Sequence, residues 1–164
     1  MRLTPTAIRT ANLLLEPLSR KGAKAIVAGD LSAVRAGHGW PHADTTDGLR
    51  IALTNGHAPG WLVTLEGAVI GDCGVHGDPS EDGEVELGFG LAAPYRGLGY
   101  GSEMAAALSQ WLLAQPGVSR VIGRVALANM PSRRTLERAG FERESVGALS
   151  AVYVLVDHKG TQTP

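Results

Sequence analysis

The sequence predicts a mixed α/β fold, and three stretches carry that prediction. Val85, Leu87, Phe89 and Leu91 alternate with small or acidic residues across Glu84–Leu91, the period of a strand with one apolar face. Met104, Leu108, Trp111, Leu112 and Gln115 recur at offsets of four, seven, eight and eleven, which describes an amphipathic helix. Trp61–Leu65 and Ala68–Val75 read as strands joined by Glu66-Gly67, a tight hairpin signal. A length of 164 residues suits one domain, 1–164, large enough to bury a core.

Each element follows in chain order. Residues 10–18 carry a first strand through the run Leu13-Leu14-Leu15, closed by Pro17. Ser19 caps a helix reaching about Ala28. The segment 37–42 is a loop, and Asp44–Leu53 is a second helix with Asp or Thr available as its cap. The hairpin follows, then an acidic turn over 77–83, then the Glu84–Leu91 strand. Ala92-Ala93-Pro94-Tyr95 turns the chain into the long helix, which Gln115-Pro116-Gly117 ends. Val121–Leu127 is a strand. Asn129 caps a short helix with Pro131 near its start and Gly140 past its end. Phe141–Ser145 and Ser150–Val156 form a last pair of strands, and 157–164 is a frayed tail.

Composition excludes several classes. A hydrophobic share of 44% against 19% charged is that of a globular chain. The net charge of −1 offers no electrostatic footprint for nucleic acid or an anionic membrane. Cys73 stands alone, so no internal disulfide can form, which fits a reducing cytoplasm. No apolar run is long enough to span a bilayer, and the N-terminus lacks an apolar signal core. The histidines at 38, 42 and 57 lie in loops without a Cys or carboxylate framework, so no metal site is expected.

The chemistry concentrates at Arg96-Gly97-Leu98-Gly99-Tyr100-Gly101, where a strand has ended and a helix begins. The first N–H groups of a helix have no internal partner, and the macrodipole adds positive charge there. Glycines let the backbone bend toward a ligand. The amides from Gly97 to Ser102, with Arg96 as a cation, therefore suit a diphosphate. A dinucleotide fingerprint fails because the glycines lack the two-residue gap, and Ser119 and Arg120 stand where an acid is wanted. A P-loop fails because no Gly-Lys-Ser/Thr is present.

The stretch resembles the coenzyme A loop of the GNAT acetyltransferase superfamily, Arg/Gln-x-x-Gly-x-Gly/Ala, through Arg96, Gly99 and Gly101. Asn129-Met130-Pro131-Ser132 and Leu136-Glu137-Arg138-Ala139-Gly140-Phe141 resemble the closing motifs of the branch typified by bacterial ribosomal-protein N-terminal acetyltransferases. The opening Arg9–Leu18 is similar to that branch too, departing at Asn12 and Glu16, where basic residues are usual. The resemblance implies a mostly antiparallel sheet flanked by helices and splayed between the fourth and fifth strands, Glu84–Leu91 and Val121–Leu127. It also implies acetyl-CoA as co-substrate.

Under that resemblance, pantetheine lies alongside Phe89 and Leu91, and the N–H near Leu91 faces the thioester oxygen. Gly97, Leu98, Gly99, Tyr100, Gly101 and Ser102 hold the diphosphate with Arg96, and Asn129 contacts the coenzyme. Many GNAT proteins place a tyrosine on the short helix to protonate the departing thiolate; none is present, and Ser132 takes that role or is a helix-capping serine. Glu86 is the first candidate for the base, or else a solvated or ion-paired carboxylate. Asp72 and His76 are alternatives, and His76 lies beside the acceptor or is an exposed strand-end residue. Trp40 is a wall of the acceptor pocket or an anchor of its loop. Trp61 and Trp111 belong to packing, and Arg133 and Arg134 to a solvated face.

The leading function is acetyl transfer from acetyl-CoA to a protein N-terminal α-amine or small-molecule amine by direct attack in a ternary complex. The alternative is a coenzyme-binding sensor or accessory module with little turnover. A homodimer is compatible with either; nucleic acid and membrane are not expected partners.

Overall fold

The structure, a computed structural model, describes residues 2–157. The tail expected over 157–164 lies outside the described residues apart from Asp157. In chain order the strands are β1 (Ile8–Arg9), β2 (Leu13–Pro17), β3 (Trp61–Leu65), β4 (Ala68–Val75), β5 (Glu84–Leu91), β6 (Arg120–Ala126), β7 (Glu142–Val146) and β8 (Ser150–Val156). The helices are α1 (Arg20–Val27), α2 (Ala43–Asn55), α3 (Tyr100–Leu113) and α4 (Met130–Arg138), with a short 3-10 turn at Ala93–Tyr95. All eight strands form one sheet in the order β1-β2-β3-β4-β5-β6-β8-β7. Only the β5–β6 pair among these neighbours is parallel.

The expected mixed α/β architecture is present, with corrections at the margins. The single strand read over 10–18 is a hairpin of β1 and β2. Its turn is fixed by the Thr10 N–H bond to the Leu13 carbonyl, at 2.9 Å, and by Glu103 of α3. Glu103 accepts from the Thr10 hydroxyl, from the Asn12 amide at 2.8 Å and from the Asn12 N–H at 3.0 Å. Periodicity in β2 does not report this long-range clasp. Helix α2 extends to Asn55 and stops at Gly56 in the left-handed region. Its N-cap is His42, which makes no side-chain capping bond, so neither Asp nor Thr serves as the cap. Ser19 does cap α1, accepting the Gly22 N–H at 2.9 Å.

The sheet has a core on each face. Leu15, Val63, Val85, Leu87 and Leu91 pack against Met104, Leu108 and Leu112 of α3 and Leu136 of α4. Ala23, Ile26, Trp40, Leu49, Leu62, Val69 and Ala92 form the opposite core beneath α1 and α2. The Trp61 and Trp111 rings meet edge to face at 5.1 Å, and both indole N–H groups bond Thr6, at 2.8 Å each. Those two tryptophans are packing residues, as read from the sequence. No helix among the described residues is long and apolar enough to cross a membrane.

The strand junction that matters is β5–β6. Their pairing runs from Glu84 with Arg120 to Leu87 with Gly123 and then ceases. β5 continues to Leu91 on β4, and β6 continues to Ala126 on β8. A wedge therefore opens between Gly88–Leu91 and Arg124–Ala126, at the splay expected between the fourth and fifth strands.

Candidate active site

The wedge exposes backbone, and antiparallel pairing decides which groups. The N–H of His76 bonds the Glu86 carbonyl, and that of Ala92 bonds the Ile70 carbonyl, at 2.9 and 2.8 Å. Hydrogen bonding alternates along an antiparallel pair, so the even-numbered residues of β5 spend their groups on β4. Phe89 and Leu91 consequently turn their N–H and C=O groups toward the wedge. The Leu91 carbonyl is taken by Arg96 Nε at 2.9 Å, whereas the Leu91 N–H remains directed into the opening.

The 96–102 loop continues from this strand end. Gly97 and Gly99 have φ of 76° and 89°, values L side chains rarely adopt, and a Cβ at either would project into open space. Gly99 is the N-cap of α3. Among the described residues, no acceptor engages the N–H groups of Gly97, Leu98, Gly99, Tyr100, Gly101 or Ser102. A row of unpaired donors at a helix N-terminus fits an anionic group. Gly101 has a different reason: a Cβ there would lie 3.3 Å from Thr135 Cγ2, so it permits close α3–α4 approach. Leu98, 64% exposed, forms the loop tip.

A cavity of about 380 Å³ occupies the wedge and the sheet face beneath α2. Phe89, Asn129, Ser132 and His76 line it, whereas Leu91 and the 96–102 segment do not. Asn129 Oδ1 accepts the Ser132 N–H at 3.3 Å, so Asn129 is both helix cap and cavity wall. The Ser132 hydroxyl makes no hydrogen bond among the described residues and is not a backbone capper. His76 is exposed, its ring over Gly88, where a Cβ would fall 2.7 Å from Nε2.

Three residues lie elsewhere than their leading readings placed them. Glu86 does not line the cavity; it lies two residues back along β5, its carboxylate 3.7 Å from Arg124. It takes the ion-paired alternative. Trp40 does not line the cavity either. Its ring is buried in the core under α1 and α2, and its N–H donates to Asp72 Oδ2 at 3.0 Å. Trp40 is thus a loop anchor, because a large apolar ring with one polar tip is best placed where both are satisfied. Arg133 also departs from a solvated face: it donates to the Tyr153 hydroxyl and the Leu127 carbonyl, at 3.1 Å each.

The residue the sequence reading passed over is His42. It lines the cavity, and its ring covers Gly90, with Cε1 and Nε2 at 3.3 and 3.4 Å from a Cβ built there. A legible trace existed in Gly88 and Gly90, whose alternation on one strand face marks a surface that something bulky covers. Asp72 and Cys73 line the cavity as well. Burial, and secondarily the adjacent Asp72 carboxylate, pushes the Cys73 thiol well above its ordinary range.

An acetyltransferase (GNAT) domain family matches residues 12–142. The Bacillus subtilis N-acetyltransferase YjdG, itself uncharacterised, is 32% identical over 111 residues, 62% of this chain and 66% of that protein. A second B. subtilis relative, YycN, is covered to the same 66%, so the chain spans just under two thirds of the length of these relatives. Among solved structures, an acetyltransferase from Agrobacterium tumefaciens superposes with a TM-score of 0.67 at 26% identity, covering 96% of this chain and 98% of that one. RimL, a ribosomal L7/L12 α-N-protein acetyltransferase in complex with coenzyme A, superposes with a TM-score of 0.67 at 16% identity, over 92% and 98% of the two chains. At that identity it speaks for the fold.

Proposed function

The chain belongs to the GNAT acetyltransferase family, and from that premise we propose that it moves the acetyl group of acetyl-CoA to a primary amine. The acceptor is a protein N-terminal α-amine or a small-molecule amine, attacked directly in a ternary complex. The observation that carries this reading is the wedge past Leu87 and Gly123 together with six acceptor-less N–H groups in the 97–102 segment, which lies beyond the cavity lining. One end takes an extended amide-bearing arm as a strand partner, and the other takes its diphosphate.

Each chain group has a task in this reading. The 97–102 amides hold the diphosphate, with Arg96 adding charge while bracing the strand end through Leu91. The Phe89 N–H and C=O pair with pantetheine amides. The Leu91 N–H stabilises the thioester oxygen as it becomes an oxyanion, which is usually the larger catalytic contribution. Ser132, its hydroxyl uncommitted, donates to the departing thiolate. The wedge aligns amine and thioester, and this proximity lowers the barrier further. Direct attack is favoured over an acyl-enzyme because Cys73, the single cysteine, is buried and held as thiol.

Acetyl-CoA is expected to raise the melting temperature while NAD does not, because a native-state ligand stabilises by mass action. No shift at millimolar acetyl-CoA would overturn the reading. Thiol release over a panel of peptide N-termini and small amines then distinguishes an enzyme from a coenzyme-binding sensor.

A further inference from the structure

We propose that the His42 imidazole is the base that takes the proton from the acceptor amine, positioned by Asp72; this rests on the acetyltransferase reading above. Three independent observations converge on it. First, His42 Nε2 is buried and has no hydrogen-bond partner among the described residues. A buried polar atom without a partner is costly, and a ligand group in the adjoining cavity would satisfy it. Second, the ring lies against Gly90, between the two β5 residues whose backbone groups face the wedge. A side chain at position 90 would occupy the space the ring uses.

Third, the loop carrying His42 is tied down on both sides to one atom. Asp72 Oδ2 accepts the Trp40 indole N–H at 3.0 Å and the Thr45 hydroxyl at 2.7 Å. Trp40 and Thr45 are both buried, and Asp72 pairs directly with Gly90 across the sheet. His42 is therefore suspended between two fixed points above the strand the thioester would follow. A group fixed in this way loses little freedom when the substrate arrives. The competing carboxylate, Glu86, lies outside the cavity on Arg124.

The protons balance as follows. The acceptor enters as an ammonium and passes one proton to His42, leaving a neutral amine. Its lone pair forms the C–N bond, and the carbonyl π electrons move to the oxygen facing the Leu91 N–H. The oxyanion collapses, the C–S bond breaks, and a second nitrogen proton reaches the thiolate through the Ser132 hydroxyl. Products are the acetamide and free coenzyme thiol, and His42 returns its proton to solvent.

The other titratable or charged groups lining the cavity are Asp44 of α2, Asp72 and Cys73 of β4, His76 after it, and Arg124 of β6. None comes from β3, β5 or α4. A base acts only when unprotonated, so a base role predicts a kcat/KM profile whose acid side depends on residue 42.

The test compares wild type, His42→Gln and Gly90→Ala for acetyl-CoA binding by calorimetry and for thiol release from pH 5.5 to 9. The acceptors are n-butylamine and the tetrapeptide Ser-Ala-Ala-Ala. His42→Gln should lower kcat/KM about 100-fold near pH 7 and replace the wild-type acid limb with one that follows the acceptor amine's own deprotonation. Coenzyme affinity should stay within about twofold, since the ring is not placed on the coenzyme's backbone contacts. Gly90→Ala should lower the rate by displacing the ring, again with coenzyme affinity kept; it covers the case of a misfolded His42→Gln. A wild-type rate and acid limb in His42→Gln would overturn the proposal, as would Gly90→Ala with full activity if His42→Gln does not fold. Acetyl-CoA binding by wild type without turnover of either amine would return the chain to the sensor reading and overturn it too. Absent coenzyme binding would instead sink the acetyltransferase reading on which it rests.

Discussion

The two sides of the wedge are built by different means. The side we propose for the coenzyme is backbone: N–H groups of 97–102, the Phe89 amide and the Leu91 N–H, with one arginine in attendance. The side we propose for the acceptor is side chains, His42, Asp44, Asp72 and His76, which line the cavity from α2 and β4 and the residues flanking them. Backbone recognition needs only a strand end, positive-φ glycines and a helix start, all contiguous in sequence. Side-chain recognition needs tertiary placement, and each of its members has an ordinary local setting. The coenzyme side is accordingly the part that a whole family can share, and the acceptor side the part free to differ.

That contrast can be broken experimentally, beginning with the largest effect. Gly99→Asp places a carboxylate where the diphosphate is proposed to sit; the side chain enters open space, and Gly99→Ala, equally strained at a φ of 89°, separates backbone strain from charge. Acetyl-CoA affinity should fall on the order of 100-fold, since apposed like charges cost several kcal/mol. Calorimetry finding retained affinity would remove the diphosphate from this loop. Ser132→Ala should reduce kcat about 10- to 100-fold at unchanged coenzyme affinity. Steady-state kinetics with a wild-type kcat would leave Ser132 only a cavity wall.

Trp40→Phe removes a bond to the Asp72 carboxylate and should cost about 1.5–3 kcal/mol in a denaturant titration. If the two sides are independent, the variant also loses rate while binding acetyl-CoA normally; loss of coenzyme affinity would couple them. The smallest effect concerns Glu103. Burial by itself would raise its carboxyl, but bonds from Thr10, Asn12 and Leu13 prevail and hold it below its ordinary value of 4.5. A depressed folded-state value contributes stability above the unfolded value, lost as pH falls through the folded one. Glu103→Gln should thus melt below wild type at pH 7, with the gap closing as the pH drops under 4.5. A gap that does not change with pH would assign the clasp to shape rather than charge.

Much of the fold was legible because its signals are local. β3, β4 and β5 have the expected boundaries, Ser19 caps α1, and Asn129 caps α4. The β1–β2 turn was not, because Glu103, the residue that fixes it, lies ninety-one positions from Asn12. The same division holds in the site. Gly97 and Gly99 announce themselves, whereas Glu86 looked suitable by strand parity alone. Parity places it on the right face, but how far the β5–β6 pairing runs decides whether it reaches the cavity. His42 was read as a loop histidine because nothing near it in sequence shows Gly90 beneath its ring or the tie from both flanks to Asp72.

The short β5–β6 seam has a mechanical consequence. β1–β5 form one half-sheet and β6–β8 the other, stitched together by only four residue pairs from Glu84–Arg120 to Leu87–Gly123. An acyl donor lying in the wedge would add rungs to that seam and act as a removable strand. The hinge between the halves would then be stiffest when the donor is abundant. Amide hydrogen exchange at Phe89, Leu91 and the strand tip at 124–126 would report that stiffening directly, before any acceptor is known.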